Sequence, residues 1–104
     1  MFGLGPKTVT VDELAERLTS SKPVLIDVRE PDEFARGHVP GARNIPLAKL
    51  ESAAANLDPG AETLLICQSG HRSATAAKLL VRRGFSDAHS VKGGTSAWRG
   101  KLER

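Results

Sequence analysis

The sequence predicts an α/β fold in which a parallel sheet is covered by helices on both faces. Apolar runs of strand length alternate with segments whose apolar residues repeat at helical spacing, and short joints containing Gly or Pro separate them. The run at 24–28 is rich in β-branched residues, which is typical of a strand buried on both faces. Because parallel strands are joined by right-handed crossovers, few topologies remain. We expect five strands, one of them weak, and five helices, some of a single turn.

The chain opens with a short strand and a capped helix. Residues 8–10 (Thr-Val-Thr) are an edge-strand candidate. Thr10 and Glu13 have the spacing of a capping box, in which each side chain bonds the other residue's backbone N–H. A helix is therefore predicted from this point to about residue 20. The Lys-Pro pair at 22–23 ends its pattern before the strand at 24–28.

A short helix, a short strand and a longer helix are predicted next. Pro31 falls in the first turn of the short helix, acidic residues lie near its amino end, and Gly37 ends it. After a Pro-Gly turn, residues 42–45 are predicted to form a short strand. Apolar residues at helical spacing then predict a helix from residue 47 to about residue 56.

The second half repeats the alternation of strand and helix. Residues 62–66 form an apolar strand candidate that leads directly into Cys67. A helix is predicted from about 73 to 83, and Gly84 is expected to end it in the left-handed conformation that glycine adopts readily. Residues 88–91 are the last strand candidate, and 95–102 is predicted as a terminal helix that carries Trp98 in the core.

Composition predicts one domain over residues 1–104, with a core from about 8 to 100. The net charge of +3 comes from scattered basic residues, and only four residues are aromatic. This composition argues against a nucleic-acid surface and suits small anionic substrates. A single Cys permits no internal disulfide, which fits a reducing compartment. Residues 1–6 lack the features of a signal peptide, and no apolar stretch is long enough for a bilayer, so a cytoplasmic location without membrane attachment is expected.

The strongest chemical signal is the stretch from Cys67 to Ser73. The thiol is predicted at the carboxyl end of a buried strand and at the amino end of a helix, where α/β proteins place their sites. Free N–H groups at a helix start favour an anion, and His71 and Arg72 add positive charge. The pKa of the thiol should therefore fall, and the thiolate is the nucleophilic form.

A structural interpretation of Cys67 remains open from this feature alone. A lone Cys after an apolar run is often only a buried apolar side chain. Such a residue would not require the Gly70, Arg72 and run of free N–H groups that follow it.

Three segments together carry a resemblance to a known family. They are Leu25-Ile26-Asp27-Val28-Arg29-Glu30 with Glu33-Phe34, then Gly37-His38-Val39-Pro40-Gly41-Ala42-Arg43-Asn44-Ile45-Pro46, then Cys67-Gln68-Ser69-Gly70-His71-Arg72-Ser73 with Val91-Lys92-Gly93-Gly94 and Trp98. In this order and spacing, the chain resembles a single-domain rhodanese, a thiosulfate sulfurtransferase-like domain. The resemblance implies a three-layer fold whose parallel sheet of about five strands has the order 1-5-4-2-3.

The resemblance also implies the roles of the loop residues. Cys67 would be the catalytic, sulfur-accepting residue, and a substrate-binding cradle of backbone N–H groups would be formed by Gln68, Ser69, Gly70, His71, Arg72 and Ser73. The thiolate would take the outer sulfur of a small anionic donor such as thiosulfate. A thiol, cyanide or a protein acceptor would then remove it, with ping-pong kinetics and no cofactor. Arg72 and His71 would orient the donor, the alternative being that both are solvated loop charges, and no general-base role is expected for His71.

Asp27 and Arg29 are chiefly structural in this family, and we expect Arg29 to pair with a nearby carboxylate such as Glu33. Lys92 precedes two glycines in a loop that flanks the site in this fold. Its positive charge is a candidate contribution to the electrostatic field at the site.

The histidines do not predict a metal site. His38 is expected to be a turn residue that makes a hydrogen bond. His38, His71 and His89 lack the spacing of metal ligands, and only one Cys is present.

Two other function classes remain as alternatives. A phosphatase or arsenate reductase of the same superfold uses Cys-x5-Arg, whereas Cys67 and Arg72 are separated by four residues, and no Asp is evident on a mobile loop as a proton donor. A second alternative is a persulfide carrier or a regulatory binding domain. Turnover with small thiols distinguishes an enzyme from a carrier, because a carrier discharges well only to its partner.

Overall fold

The structure, a computed structural model, describes residues 7–104. The strands are β1 Lys7–Val9, β2 Val24–Asp27, β3 Arg43–Asn44, β4 Thr63–Ile66 and β5 Ala88–Val91. The helices are α1 Val11–Thr19, α2 Pro31–Arg36, α3 Leu47–Ala53, α4 His71–Arg82 and α5 Gly94–Ala97, and a 3-10 turn at Ala54–Asn56 follows α3. The expectation about a signal peptide concerns residues 1–6, which lie outside the described residues. Within residues 7–104, no helix has both the length and the apolar character needed to cross a membrane.

The five strands form one parallel sheet in the order β1-β5-β4-β2-β3. The predicted α/β class and the strand order implied by the resemblance are both confirmed. Strands β4, β5 and β2 occupy the middle of the sheet, and β4 is buried along its whole length. The carboxyl end of β4 therefore lies at the centre of one edge of the sheet, where it can carry a site.

Alternate residues of the central strands face two separate apolar layers. Leu25 and Leu64 pack in one cluster with Leu14 of α1. Ile26 and Leu65 belong to the other cluster, to which α3 and α4 contribute Leu50, Ala76, Ala77 and Leu80. Helices thus cover both faces, which explains why these strands are apolar at nearly every position.

Local sequence signals fix the ends of several helices as predicted. Thr10 and Glu13 form the capping box of α1, with the Glu13 N–H donating to Thr10 Oγ1 over 3.0 Å and the Thr10 N–H donating to Glu13 Oε1 over 2.7 Å. Gly84 has a φ of +92° immediately beyond α4, so the expected left-handed glycine is present there.

The terminal helix is shorter than predicted. It ends at Ala97, and Trp98 has extended backbone and is only partly buried, packing against the cluster that contains Leu14. The prediction of a helix over 95–102 was therefore wrong, whereas the expected packing of Trp98 against the core is confirmed in part. The segment after Trp98 instead pairs with another part of the chain, since Glu103 and His38 exchange backbone hydrogen bonds of 2.8 and 2.9 Å.

Candidate active site

The sulfur of Cys67 lies at the junction between β4 and α4. β4 ends at Ile66, Cys67 follows it directly, and α4 begins at His71. The helix therefore begins two residues before the predicted start at Ser73. The residue Cys67 is buried, with 1% of its surface exposed, whereas Gln68 and Ser69 above it are exposed.

The loop is folded so that backbone N–H groups converge on this sulfur. The N–H of Gly70 donates to Cys67 Sγ over 3.1 Å, and the N–H of Ser73 donates over 3.3 Å. Gly70 can aim its N–H inward because it has a φ of +109°, a conformation that residues with a Cβ rarely adopt. The hydroxyl of Ser73 lies 3.5 Å from the same sulfur.

This environment lowers the pKa of the Cys67 thiol below its ordinary value. Burial opposes the effect, since it raises the pKa, but hydrogen bonds from the Ser73 hydroxyl and from the N–H groups of Ser73, Gly70 and Ser69 outweigh it. The predicted fall in pKa is confirmed in direction. Its main cause is the set of hydrogen bonds rather than His71, which is exposed and lies 3.2 Å from Ser69 Oγ through Nδ1.

The outer side of the loop is held by α5. The carbonyl oxygen of Cys67 accepts from the N–H and the hydroxyl of Thr95, over 2.8 and 3.1 Å, and the Gln68 carbonyl accepts from the Ser96 N–H over 3.0 Å. The carbonyl groups are therefore directed toward α5, and the N–H groups of the loop are left for the sulfur. The result is a concave set of amides suited to an anion.

Arg72 is bound to a carboxylate of α2. Its two terminal nitrogens donate to the two oxygens of Glu33 over 2.8 and 3.1 Å. The Arg72 hydrogen bonds, with a further one from the backbone of Glu30, lower the pKa of Glu33 to about 2, and the pairing raises the pKa of Arg72. Three of the five N–H donors of the guanidinium are not used by Glu33.

Arg29 pairs with a nearby carboxylate as predicted, but that carboxylate is not the suggested Glu33. Arg29 binds Asp27 instead, with Nε 3.0 Å from Oδ1 and Nη2 2.8 Å from Oδ2, and both residues are buried. Glu33 is paired with Arg72, and its side chain is more exposed than that of Asp27. A buried charge needs a close partner, and the carboxylate two residues away on the same strand end supplies it.

Arg29 also connects the fold to the loop, which the sequence did not indicate. Its Nη1 donates to the side-chain oxygen of Gln68 over 3.2 Å, and its Nη2 donates to the Gly37 carbonyl over 2.8 Å. Arg29 therefore joins the end of β2, the end of α2 and the first residue after Cys67.

Two other polar residues that the sequence analysis named, His38 and Lys92, make no hydrogen bond to the Cys67 loop among residues 7–104. Nδ1 of His38 lies 2.9 Å from the Phe34 carbonyl oxygen, and the two rings stack with centroids 3.6 Å apart, so the predicted hydrogen bond of His38 is confirmed. Lys92 is exposed. Across residues 7–104 no group of three His, Cys, Asp or Glu side chains is arranged to hold a metal ion.

An open cavity of about 520 Å³ lies beside the loop on the side of Gln68. Its wall includes both cationic and anionic side chains together with one apolar residue of the C-terminal segment; the lining residues are Arg29, Glu33, Arg36, Gly37, Gln68, Thr95, Ser96 and Leu102. A small molecule can therefore approach the loop from a polar, charged pocket.

Comparisons with known proteins identify the family of the chain. The model of the family described as "Rhodanese-like domain" matches residues 10–101. A Bacillus subtilis protein named "Uncharacterized protein YqhL" is 41% identical over 97 residues, which cover 93% of this chain and 75% of that protein. The "Thiosulfate sulfurtransferase GlpE" of Pseudomonas putida is 38% identical over 93 residues, which cover 89% of this chain and 84% of the relative.

A solved structure has the same architecture. The rhodanese-like domain protein from Staphylococcus aureus superimposes with a TM-score of 0.84 at 36% sequence identity. The match covers 93% of this chain and 96% of that chain.

Proposed function

Because the chain belongs to the rhodanese-like domain family, we propose that it is a sulfurtransferase that carries sulfane sulfur as a persulfide on Cys67. The donor is thiosulfate or a related persulfide, and the acceptor is a thiol, cyanide or a protein. The relative named thiosulfate sulfurtransferase supports the donor class. A reducing compartment such as the cytoplasm suits this chemistry, because the thiol must stay reduced between turnovers.

The observation that carries the proposal is the convergence of N–H groups on a buried sulfur. Gly70 and Ser73 each donate to Cys67 Sγ, and the pKa of the thiol is lowered. A larger fraction of Cys67 is therefore thiolate at a given pH, and thiolate is the nucleophile in sulfur chemistry. The same amides are suited to hold the negative charge of a persulfide.

The proposed reaction has two half-reactions. In the first, the Cys67 thiolate attacks the outer sulfur of thiosulfate, an S–S bond forms to the enzyme, and the S–S bond of the donor breaks to release sulfite. In the second, cyanide or a thiolate attacks the outer sulfur of the persulfide and Cys67 leaves as a thiolate. No net proton transfer is needed in the cyanide reaction, so a general base is unnecessary.

Steady-state kinetics with thiosulfate and cyanide test this function. We expect thiocyanate to form and double-reciprocal plots at several cyanide concentrations to be parallel, as in a ping-pong mechanism. Hydrolysis of an aryl phosphate by the same preparation would favour the phosphatase alternative. Loading by thiosulfate without turnover by cyanide or any small thiol would contradict the enzyme and favour a carrier that discharges to a protein.

Arg72 is proposed to bind the oxyanion of the donor with the N–H groups that Glu33 does not occupy. Arg72→Ala should raise the KM for thiosulfate about tenfold or more, since one charge-assisted contact contributes about 1.5–3 kcal/mol. The value of kcat should change less. Arg72→Lys should recover only part of the loss, because an ammonium lacks the planar fork of donors.

Arg82→Ala is the matched control. Arg82 is exposed and lies at the other end of α4, and its substitution removes the same charge. Its KM for thiosulfate should stay within about twofold of the original protein. An unchanged KM in Arg72→Ala, or an equal rise in Arg82→Ala, would contradict the role proposed for Arg72.

A further inference from the structure

A buried hydroxyl on β5 extends the hydrogen-bond network of the Cys67 sulfur into the sheet. Ser90 is 1% exposed, and its Oγ lies 2.7 Å from Oγ of Ser73, which is fully buried at the start of α4. Ser73 Oγ in turn lies 3.5 Å from Cys67 Sγ. Three side chains from β5, α4 and the end of β4 are thus connected in a row.

The hydrogen-bonding capacity of the two hydroxyl groups determines which of them donates to the other. Among residues 7–104, Ser73 is the one hydrogen-bond partner of Ser90 Oγ. A buried hydroxyl proton is rarely left without an acceptor, so Ser90 donates to Ser73 Oγ. The proton of Ser73 is then directed away from Ser90, toward the Gly70 carbonyl oxygen at 3.2 Å or toward Cys67 Sγ.

The ionisation state of Cys67 selects between these two acceptors. When Cys67 carries a proton, Ser73 can donate to the Gly70 carbonyl. When that proton has left to water, the sulfur is negative and becomes the better acceptor, so the Ser73 hydroxyl turns to it. Without Ser90, the Ser73 oxygen would lose the donor that fixes its orientation.

We propose that Ser90 is a positioning residue for sulfur transfer, which holds the Ser73 hydroxyl so that it donates to the Cys67 thiolate. The proposal rests on the proposed function of Cys67 as the sulfur-accepting nucleophile. Among residues 7–104, the hydrogen bond of the Ser90 hydroxyl is to Ser73, so Ser90 acts on the sulfur through Ser73.

Charged groups around the site come from three elements. Arg72 of α4 is close enough for its pKa to be raised partly by the Cys67 thiolate, and it is paired with Glu33 of α2. Asp27 and Arg29, at the end of β2, are buried and paired with each other. Substitution of Ser90 leaves these pairs unchanged, so a change in the titration of Cys67 would come through the hydroxyl network.

The test is the pH profile of Cys67 alkylation by iodoacetamide, followed by intact mass between about pH 5 and pH 10. In Ser90→Ala the midpoint of the profile should rise by about half to one pH unit, because the thiolate loses part of one hydrogen bond. Midpoints are compared rather than rates, since burial slows all variants alike. An unchanged midpoint in a folded Ser90→Ala would overturn the proposal.

Two variants of equal shape keep the test valid if Ser90→Ala does not fold. Ser90→Thr retains the hydroxyl and Ser90→Val replaces it with a methyl group, so the steric effect is the same in both. The midpoint of Ser90→Thr should match the original protein, and that of Ser90→Val should match the rise expected for Ala. Equal midpoints in Thr and Val would overturn the proposal.

A double-mutant cycle tests whether Ser90 acts through Ser73. Adding Ser90→Ala to Ser73→Ala should not raise the midpoint further. An additive rise would overturn the proposal that Ser90 acts through Ser73. Thr63→Val is the control, because it removes another buried hydroxyl, on β4, which donates to the Ala61 carbonyl. It should lower stability and leave the midpoint in place.

The alkylation readout needs no sulfur donor, so the two proposals can fail separately. A rise in the midpoint of Ser90→Ala, in a protein that transfers no sulfur, would support the action of Ser90 through Ser73 and contradict the sulfurtransferase function. Sulfur transfer with unchanged midpoints in all the Ser90 variants would support the sulfurtransferase function and contradict the role of Ser90.

Discussion

Cys67→Ser should abolish sulfur transfer while the protein remains folded. The substitution is nearly isosteric at a residue that is 1% exposed, so packing is retained. A serine hydroxyl is a poor nucleophile at neutral pH without an adjacent base, and the structure surrounds this position with donors rather than with a base. We expect thiocyanate formation from thiosulfate and cyanide to fall by about a thousandfold or more.

Thermal unfolding of the same variant is the control for the fold. The free energy of unfolding should change by no more than about 1–2 kcal/mol, since a hydroxyl of similar size can accept from the same N–H groups of Gly70 and Ser73. Transfer within about tenfold of the original rate, in a preparation free of the original protein, would contradict the assignment of Cys67 as the nucleophile.

Gly94→Ala should lower the stability of the whole domain by about 3 kcal/mol or more. A Cβ at Gly94 would collide with the Cys67 carbonyl oxygen and lie 2.6 Å from the Gln68 carbonyl oxygen, both of them backbone atoms of the loop. Gly94 also has a φ of +62°, which an L side chain rarely adopts. A domain of this size has only about 5–15 kcal/mol of stability, so the loss is a large share of it.

Gly84→Ala separates the collision from the backbone conformation. Gly84 has a φ of +92°, but its Cβ would meet nothing within 4 Å. This variant should lose only about 1 kcal/mol. Urea unfolding of the two variants measures the difference, and equal losses would mean that the close approach of α5 to the loop is not what requires glycine at position 94.

The central strands and the order of the elements could be predicted because local signals agree with the fold. The apolar runs that became β2 and β4 are buried on both faces by helices, so nearly every side chain must be apolar. The capping box at Thr10 and the left-handed Gly84 are likewise decided within a few residues.

The errors lie where distant segments meet. Gly100 disfavours a helix over 95–102, but no residue there indicates that the chain will leave the helix as early as Ala97 in order to pair Glu103 with His38. The pair of Arg72 with Glu33, 39 residues apart, depends on which side chains the sheet and α2 bring together, and Arg29 binds the neighbouring Asp27. Sequence spacing cannot decide between such carboxylates.

The candidate site was predicted as one contiguous loop, and its supports were missed for the same reason. The stretch from Cys67 to Ser73 is local, so its strand, glycine and helix start are visible in the sequence. Ser90, Thr95 and Arg29 reach this loop from other elements of the fold. No pattern in their own neighbourhoods marks them as its partners.

A persulfide on Cys67 is tested by the intact mass of the protein after incubation with thiosulfate and removal of the donor. We expect an added mass of one sulfur atom per chain, which cyanide removes and which Cys67→Ser never acquires. The absence of the adduct with thiosulfate and with a small-molecule persulfide, or an equal adduct on Cys67→Ser, would contradict a persulfide on Cys67.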